Sequence, residues 1–93
     1  MLKYDIQEYR VRTRYLAGEY LYNLCMYEIY FEATEYFWRQ GDMNNFYYWR
    51  HEYAKIKRAL EHNIKLLRHA LHYSANLPIS FKQLDTVSSH ISN

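Results

Sequence analysis

Helix-breaking residues are scarce in this chain of 93 residues, and they divide it into long uninterrupted segments. Its glycines are Gly18 and Gly41, and its single proline is Pro78. β-Sandwiches and barrels need many tight turns, which Gly and Pro supply, so this sequence argues against both folds. Aromatic residues reach 19%, which is unlike a disordered protein. We therefore predict an all-α fold in which residues 1–93 form a single helical domain.

The first predicted helix runs from about Tyr4 to Arg39. Apolar side chains recur in it at steps of three, four and seven residues, which places them on one side of a helix. This predicted core stripe consists of Tyr9, Leu16, Tyr20, Leu24, Tyr27, Phe31 and Trp38. At ~1.5 Å per residue, the helix would be roughly 50 Å long.

The helical pattern is interrupted at Gln40, Gly41 and Asp42. Gly41 suits the left-handed conformation that ends many helices. Asp42 suits the cap of the following helix, because its carboxylate accepts hydrogen bonds from backbone N–H groups and its charge favours a helix N-terminus. A connection of this length between two long helices predicts an antiparallel hairpin.

The second predicted helix runs from about Met43 to Ala75. Its apolar residues recur at steps of three or four, which is typical of a narrow, coiled-coil-like seam. These residues are Phe46, Trp49, Tyr53, Ile56, Leu60, Ile64, Leu67 and Leu71. Asn76 can take a left-handed C-terminal conformation and Pro78 cannot continue a helix, so we expect the helix to end there.

A short third helix is predicted over about residues 80–90. Ser80 and Gln83 have the spacing of a capping box, and Phe81, Leu84 and Val87 follow at helical spacing. This helix would either fold back over the open end of the hairpin or become ordered only on a partner. Residues 88–93 are expected to fray.

The turn region also resembles a known repeat. Residues 37–42, followed by the aromatic residues Phe46, Tyr47 and Tyr53, are similar to the turn between the two helices of a tetratricopeptide repeat. The flanking helices are too long for a unit of about 34 residues, and no segment recurs at that period. We interpret the likeness as shared helix-turn chemistry.

The first helix carries a second apolar face opposite the core stripe. Val11, Tyr15, Tyr22, Cys25, Ile29 and Tyr36 lie on it. One hairpin partner covers one face of a helix, and helices that are apolar nearly all round are normally buried. We predict that Tyr15, Tyr22, Ile29 and Tyr36 form a protein interface and that hairpins self-associate into a helical bundle. The alternative is a monomer whose tyrosine hydroxyls keep this face compatible with water.

Charge is distributed unevenly between the two long helices. Residues 1–42 contain five basic and seven acidic residues, whereas residues 43–76 contain six basic and two acidic ones. The six basic residues are Arg50, Lys55, Lys57, Arg58, Lys65 and Arg68. They could steer an acidic protein partner or, alternatively, follow a nucleic-acid backbone. The sequence pI of about 8.6 is below that of most dedicated nucleic-acid-binding domains.

The sequence contains no convincing catalytic, metal or cofactor site. His62, His69 and His72 have suitable spacing for a metal, but they lie among basic residues, which oppose cation binding. Glu28, Glu32 and Glu35 lack the Glu-x-x-His partner of bundle di-metal sites. Cys25 is far from the helix ends that activate thiols and is expected to be a packing residue.

These observations predict a non-catalytic protein–protein interaction protein that uses a tyrosine-rich helical face and a basic helix. One origin compatible with such a small accessory protein is an inhibitor carried by a phage or another mobile element. Nucleic-acid binding by the basic helix is the alternative function. Neither a membrane segment nor a signal peptide is visible and Cys25 is the single cysteine, so a cytoplasmic location is expected.

Overall fold

The computed structural model describes residues 3–72, 77 and 79–92, with side chains described from Val11 onward. This part of the chain contains three helices and no strand, which confirms the all-α prediction. Helix α1 is Lys3–Gln40, α2 is Met43–Leu71 and α3 is Phe81–Ser92. The predicted bounds of α1 and α3 are correct to within two residues. The predicted continuation of α2 to Ala75, and its end at Asn76 and Pro78, lie outside the described residues.

The turn between α1 and α2 has the predicted chemistry. Gly41 adopts a φ of 71°, in the left-handed region. The N–H of Gly41 donates to the carbonyl of Trp38 at 3.1 Å, and the N–H of Asp42 donates to that of Phe37 at 3.0 Å. This pair of bonds satisfies the last carbonyls of α1 in a Schellman motif. The Asp42 side chain then caps α2 by accepting from the N–H of Asn45.

Helices α1 and α2 pack side by side as an antiparallel hairpin. The structure is 57 Å long, which is the length of α1 alone at about 1.5 Å per residue. Its buried core comprises Ala17, Tyr20, Tyr27, Leu60, Ile64, Leu67, Ile79, Leu84 and Ile91. These residues come from all three helices and the segment before α3, and they lie towards the open end of the hairpin. Throughout residues 28–59, all of which are described, no side chain is buried.

The apolar stripe predicted for α2 is confirmed, since its residues are buried or half-buried along the whole helix. The stripe predicted for α1 is confirmed only in part. Tyr20 and Tyr27 are buried, but Phe31 is 45% exposed and Trp38 is 60% exposed. Assigning these two residues to the core was wrong, because the hairpin is only two helices thick near its turn. There, Phe31 packs on Tyr53 with ring centroids 5.8 Å apart.

Polar side chains of α1 and α2 also contact each other across the interface between the two helices. The buried amides of Asn23 and Asn63 hydrogen-bond at 2.6 Å, with Asn23 Nδ2 as the donor. The hydroxyls of Tyr27 and Tyr53 lie 2.9 Å apart. Partial burial of Tyr53, together with this hydrogen bond, raises the pKa of its hydroxyl above the ordinary value. Both contacts satisfy polar groups inside a mainly apolar seam and thereby favour one alignment of the helices.

Helix α3 folds back over the open end of the hairpin. The capping box is present, because Gln83 N–H donates to Ser80 Oγ at 3.2 Å and Ser80 N–H donates to Gln83 Oε1 at 2.8 Å. Leu84 and Ile91 are buried in the core. The prediction that residues 88–93 fray was therefore wrong for residues up to Ser92, because Ile91 completes the apolar stripe of α3; Asn93 lies outside the described residues.

Candidate protein-binding surface

The side of α1 that faces away from α2 and α3 carries a continuous and mainly apolar strip of exposed residues, which we name the outward face. Its members follow one another at alternating steps of four and three residues, so they stay on one side of the helix. They are Val11, Tyr15, Gly18, Tyr22, Cys25, Ile29, Glu32 and Tyr36. All eight are exposed. Helix α1 is thus apolar on two opposite sides, whereas α2 separates its apolar and polar residues.

The four residues predicted to form an interface all lie on the outward face. Tyr15 is 75% exposed, Tyr22 is 62% exposed, Ile29 is 46% exposed and Tyr36 is 57% exposed. Neither helix covers them, because α2 packs on the opposite side of α1 and α3 packs against α2. A surface of this kind, with large aromatic groups along one line, has the composition of protein interfaces.

Large and small side chains alternate along the outward face. Tyr15, Tyr22 and Ile29 are separated by Gly18 and Cys25, which are both exposed. The space above Gly18 is open, since no atom lies within 4 Å of where a Cβ would stand. The prediction that Cys25 is a packing residue within the chain was wrong, because its thiol is exposed. Gly18 and Glu32 were not predicted as members of this surface, although the same four-and-three spacing runs through both.

Charge changes sign along the outward face. Arg12 and Arg14 flank it near Val11, whereas Glu28 and Glu35 flank it towards Tyr36 and Glu32 lies within it. The Glu35 carboxylate contacts the Arg39 guanidinium at 3.7 Å, and both side chains are well exposed. An exposed pair of this kind contributes little to stability, so Glu35 can share its carboxylate with another cation. The face is therefore basic at one end and acidic at the other.

Ten aromatic side chains, some exposed and some half-buried, lie at the turn end of the hairpin. These tip aromatics are Tyr30, Phe31, Tyr36, Phe37, Trp38, Phe46, Tyr47, Tyr48, Trp49 and Tyr53. The rings of Trp38 and Phe46 lie 5.1 Å apart, and those of Tyr30 and Trp49 lie 5.4 Å apart. The two tryptophans thus pack on different rings, because an antiparallel hairpin places them at different distances from the turn.

Two of the six basic residues of α2 contact carboxylates. Lys55 pairs with Glu52 at 3.3 Å, and Arg68 pairs with Asp85 on α3. The remaining four are Arg50, Lys57, Arg58 and Lys65, of which Lys57 is half-buried and the other three are exposed. The two pairings reduce the positive charge that this helix offers to a nucleic acid.

An open groove of about 370 Å³ separates α1 from α3. Tyr20, Leu21, Leu24, Ile79 and Val87 line it together with parts of Lys82, Gln83 and Thr86. It lies beside the outward face and exposes mainly carbon, so it offers few groups that would orient a polar ligand.

The remaining expectations concern metals and membranes. Among the described residues, no group of three or more His, Cys, Asp or Glu side chains could hold a metal ion. Of the helices in the described part of the chain, none combines the length and apolar character needed to cross a bilayer.

Comparison with known protein families, with curated proteins and with solved structures yields no match to any of them. Any functional inference for this chain therefore has to come from its own surface.

Proposed function

We propose that this chain is a non-catalytic protein-binding module and that the outward face of α1 is its binding surface. The observation that carries the proposal is the exposure of Tyr15, Tyr22, Ile29 and Tyr36 along one line of a helix whose opposite side forms the core. Tyrosine suits such a surface, because it supplies a large rigid contact area with few torsions to immobilise.

The position of the core also supports a binding role. Here the core is confined to one end of the hairpin, and α1 retains an apolar face over most of its length. Burial of that face against a partner would add apolar contact that the chain alone does not make.

The basic residues of α2 complement this role. Arg58 and Lys65 are exposed on a helix that lies away from the outward face. Such charges act over several ångströms and raise the rate at which an acidic partner is encountered. Binding of nucleic acid has less support, because Lys55 and Arg68 are already paired with carboxylates.

Site-specific photo-cross-linking in cells that express the chain tests the proposal. A photoreactive phenylalanine analogue at Tyr22 is expected to give discrete protein adducts. The same analogue at Lys65, exposed on α2, is the matched control and is expected to give few adducts. Adducts identified by mass spectrometry would name the partner. Equal labelling from both positions, or none from Tyr22, would reject the outward face as a binding surface.

A further inference from the structure

The partner that the outward face fits best is a second copy of the same chain. We propose that two chains associate through their α1 helices, which run antiparallel and meet along the outward faces. This inference rests on the proposed function, since it uses the same surface. The alternation of large and small residues, the reversal of charge along the helix and the available area each support it.

The spacing of the face defines one register that uses all of its residues. In this register, the two-fold axis lies level with the midpoint between Tyr22 and Cys25. Each residue of the face before the midpoint then meets, on the second copy, the residue that lies equally far after it. The facing pairs are then Tyr22 with Cys25, Gly18 with Ile29, Tyr15 with Glu32, and Val11 with Tyr36 of the second copy. Tyr22 and Ile29 each meet a small residue, and Tyr15 can donate its hydroxyl to a carboxylate. A shift of one heptad in either direction would leave part of the face uncovered.

Charge favours the antiparallel orientation over the parallel one. Running antiparallel, the basic end of one face lies on the acidic end of the other, and Arg14 comes opposite Glu35 of the second copy. In a parallel pair, Glu32 would face Glu32 within the seam, where like charges repel. The parallel pair would also set Gly18 against Gly18 and leave a gap between the helices.

The exposed area of the outward face is in the range that one partner contributes to a specific interface. At roughly 200 Å² per tyrosine side chain, the exposed fractions of Tyr15, Tyr22 and Tyr36 correspond to about 390 Å². That is close to half of the ~800 Å² that each partner buries in an interface of standard size. Val11, Cys25 and Ile29 and the flanking charged side chains add to it.

Light scattering after size exclusion tests the association with the full chain at micromolar concentration. The expected mass is twice 11.6 kDa. Tyr22→Glu is expected to weaken the dimer by at least about 100-fold, because it places two charges in the seam. Tyr47→Glu is the matched control, since Tyr47 is 59% exposed on α2 and outside the face. Circular dichroism should show that both variants keep their helix content.

Disulfide formation tests the orientation. In a Cys25→Ser background, the double variant Val11→Cys/Tyr36→Cys should form cross-linked dimers under oxidation, whereas either single cysteine should not. A disulfide within one chain is impossible, because the two positions lie roughly 37 Å apart along α1. Cross-linking of the single variants would establish a parallel pair and overturn the proposal.

The two proposals fail in distinguishable ways. A monomeric mass for the purified chain, combined with photo-adducts from Tyr22 to a different protein, would overturn self-association and leave the outward face as a binding surface. A monomeric mass together with no adducts from Tyr22 would overturn both.

Discussion

The buried amide pair between α1 and α2 makes a sharp prediction about stability. Asn23 and Asn63 are both buried, and each amide has the other as a hydrogen-bond partner. Asn63→Leu would leave the Asn23 amide in an apolar seam without that partner. The cost of an unsatisfied buried polar group is about 1–3 kcal/mol, and Asn23→Leu should cost a similar amount for the same reason.

The double variant Asn23→Leu/Asn63→Leu should behave differently from the sum of the single ones. It removes both polar groups at once and replaces them with apolar side chains of similar branching, so its stability should stay within about 1 kcal/mol of the natural chain or exceed it. The coupling between the two positions, which is the sum of the two single costs minus the cost of the double variant, should therefore be about 2–6 kcal/mol.

Urea unfolding followed by circular dichroism measures the stabilities of the natural chain, the two single variants and the double variant. With a slope of about 1–2 kcal/mol per molar urea, each single variant should lower the midpoint by roughly 1 M. All four proteins must be compared at one chain concentration, because association would shift their midpoints. Single variants as stable as the natural chain, or a double variant that loses the sum of both effects, would refute the role assigned to this pair.

Three further predictions concern α3, the tyrosine pair and the basic helix. Leu84→Ala removes a fully buried side chain and should destabilise the chain by about 2–5 kcal/mol in the same unfolding assay. The pKa of the Tyr53 hydroxyl is higher in the folded chain than its ordinary value of about 10. The contribution of this group to folding stability is therefore complete below pH 10 and is lost as the pH rises further. The free energy of unfolding should thus fall above pH 10, and it should fall less steeply in Tyr53→Phe. Equal slopes with pH for the two proteins would contradict this assignment. Fluorescence anisotropy with DNA and RNA oligonucleotides should show no binding tighter than the non-specific range of about 10⁻⁴–10⁻⁶ M. Tighter, salt-dependent binding that Lys57→Glu/Arg58→Glu abolishes would favour the alternative function.

Local signals in the sequence were sufficient to predict the turn between α1 and α2 and the start of α3. Gly41 and Asp42 end one helix and begin the next through their own backbone and side-chain chemistry, and Ser80 with Gln83 does the same for α3. Such capping interactions involve neighbours in the chain, so spacing alone reveals them. The seam of α2 was equally predictable, because that helix has one apolar side.

The core of α1 was less predictable, because that helix has two apolar sides and burial depends on what packs against each. Phe31 and Trp38 have the spacing of core residues, but no third helix reaches the turn end to cover them. Asn23 and Asn63 were missed for a related reason. A buried polar residue is recognisable only when its partner, 40 residues away in the chain, is known.

The outward face could be predicted in composition but not in extent. Its four large residues follow from helical spacing, whereas the roles of Gly18 and Cys25 depend on the space around them. Charge reversal along the face is visible in the sequence. This charge reversal supports an antiparallel pairing only because the structure places Arg14 and Glu35 on the same exposed side of one straight helix.

The uneven distribution of the core has a consequence for local opening of the hairpin. The covalently closed end, residues 28–59, contains no buried side chain, while the open end is held together by α3. Amide hydrogens near the turn should therefore exchange with solvent through small local fluctuations, and those around Leu60 and Leu67 only through global unfolding. Since the outward face extends from the protected end into the labile one, slower exchange near Tyr36 would report directly on a bound partner.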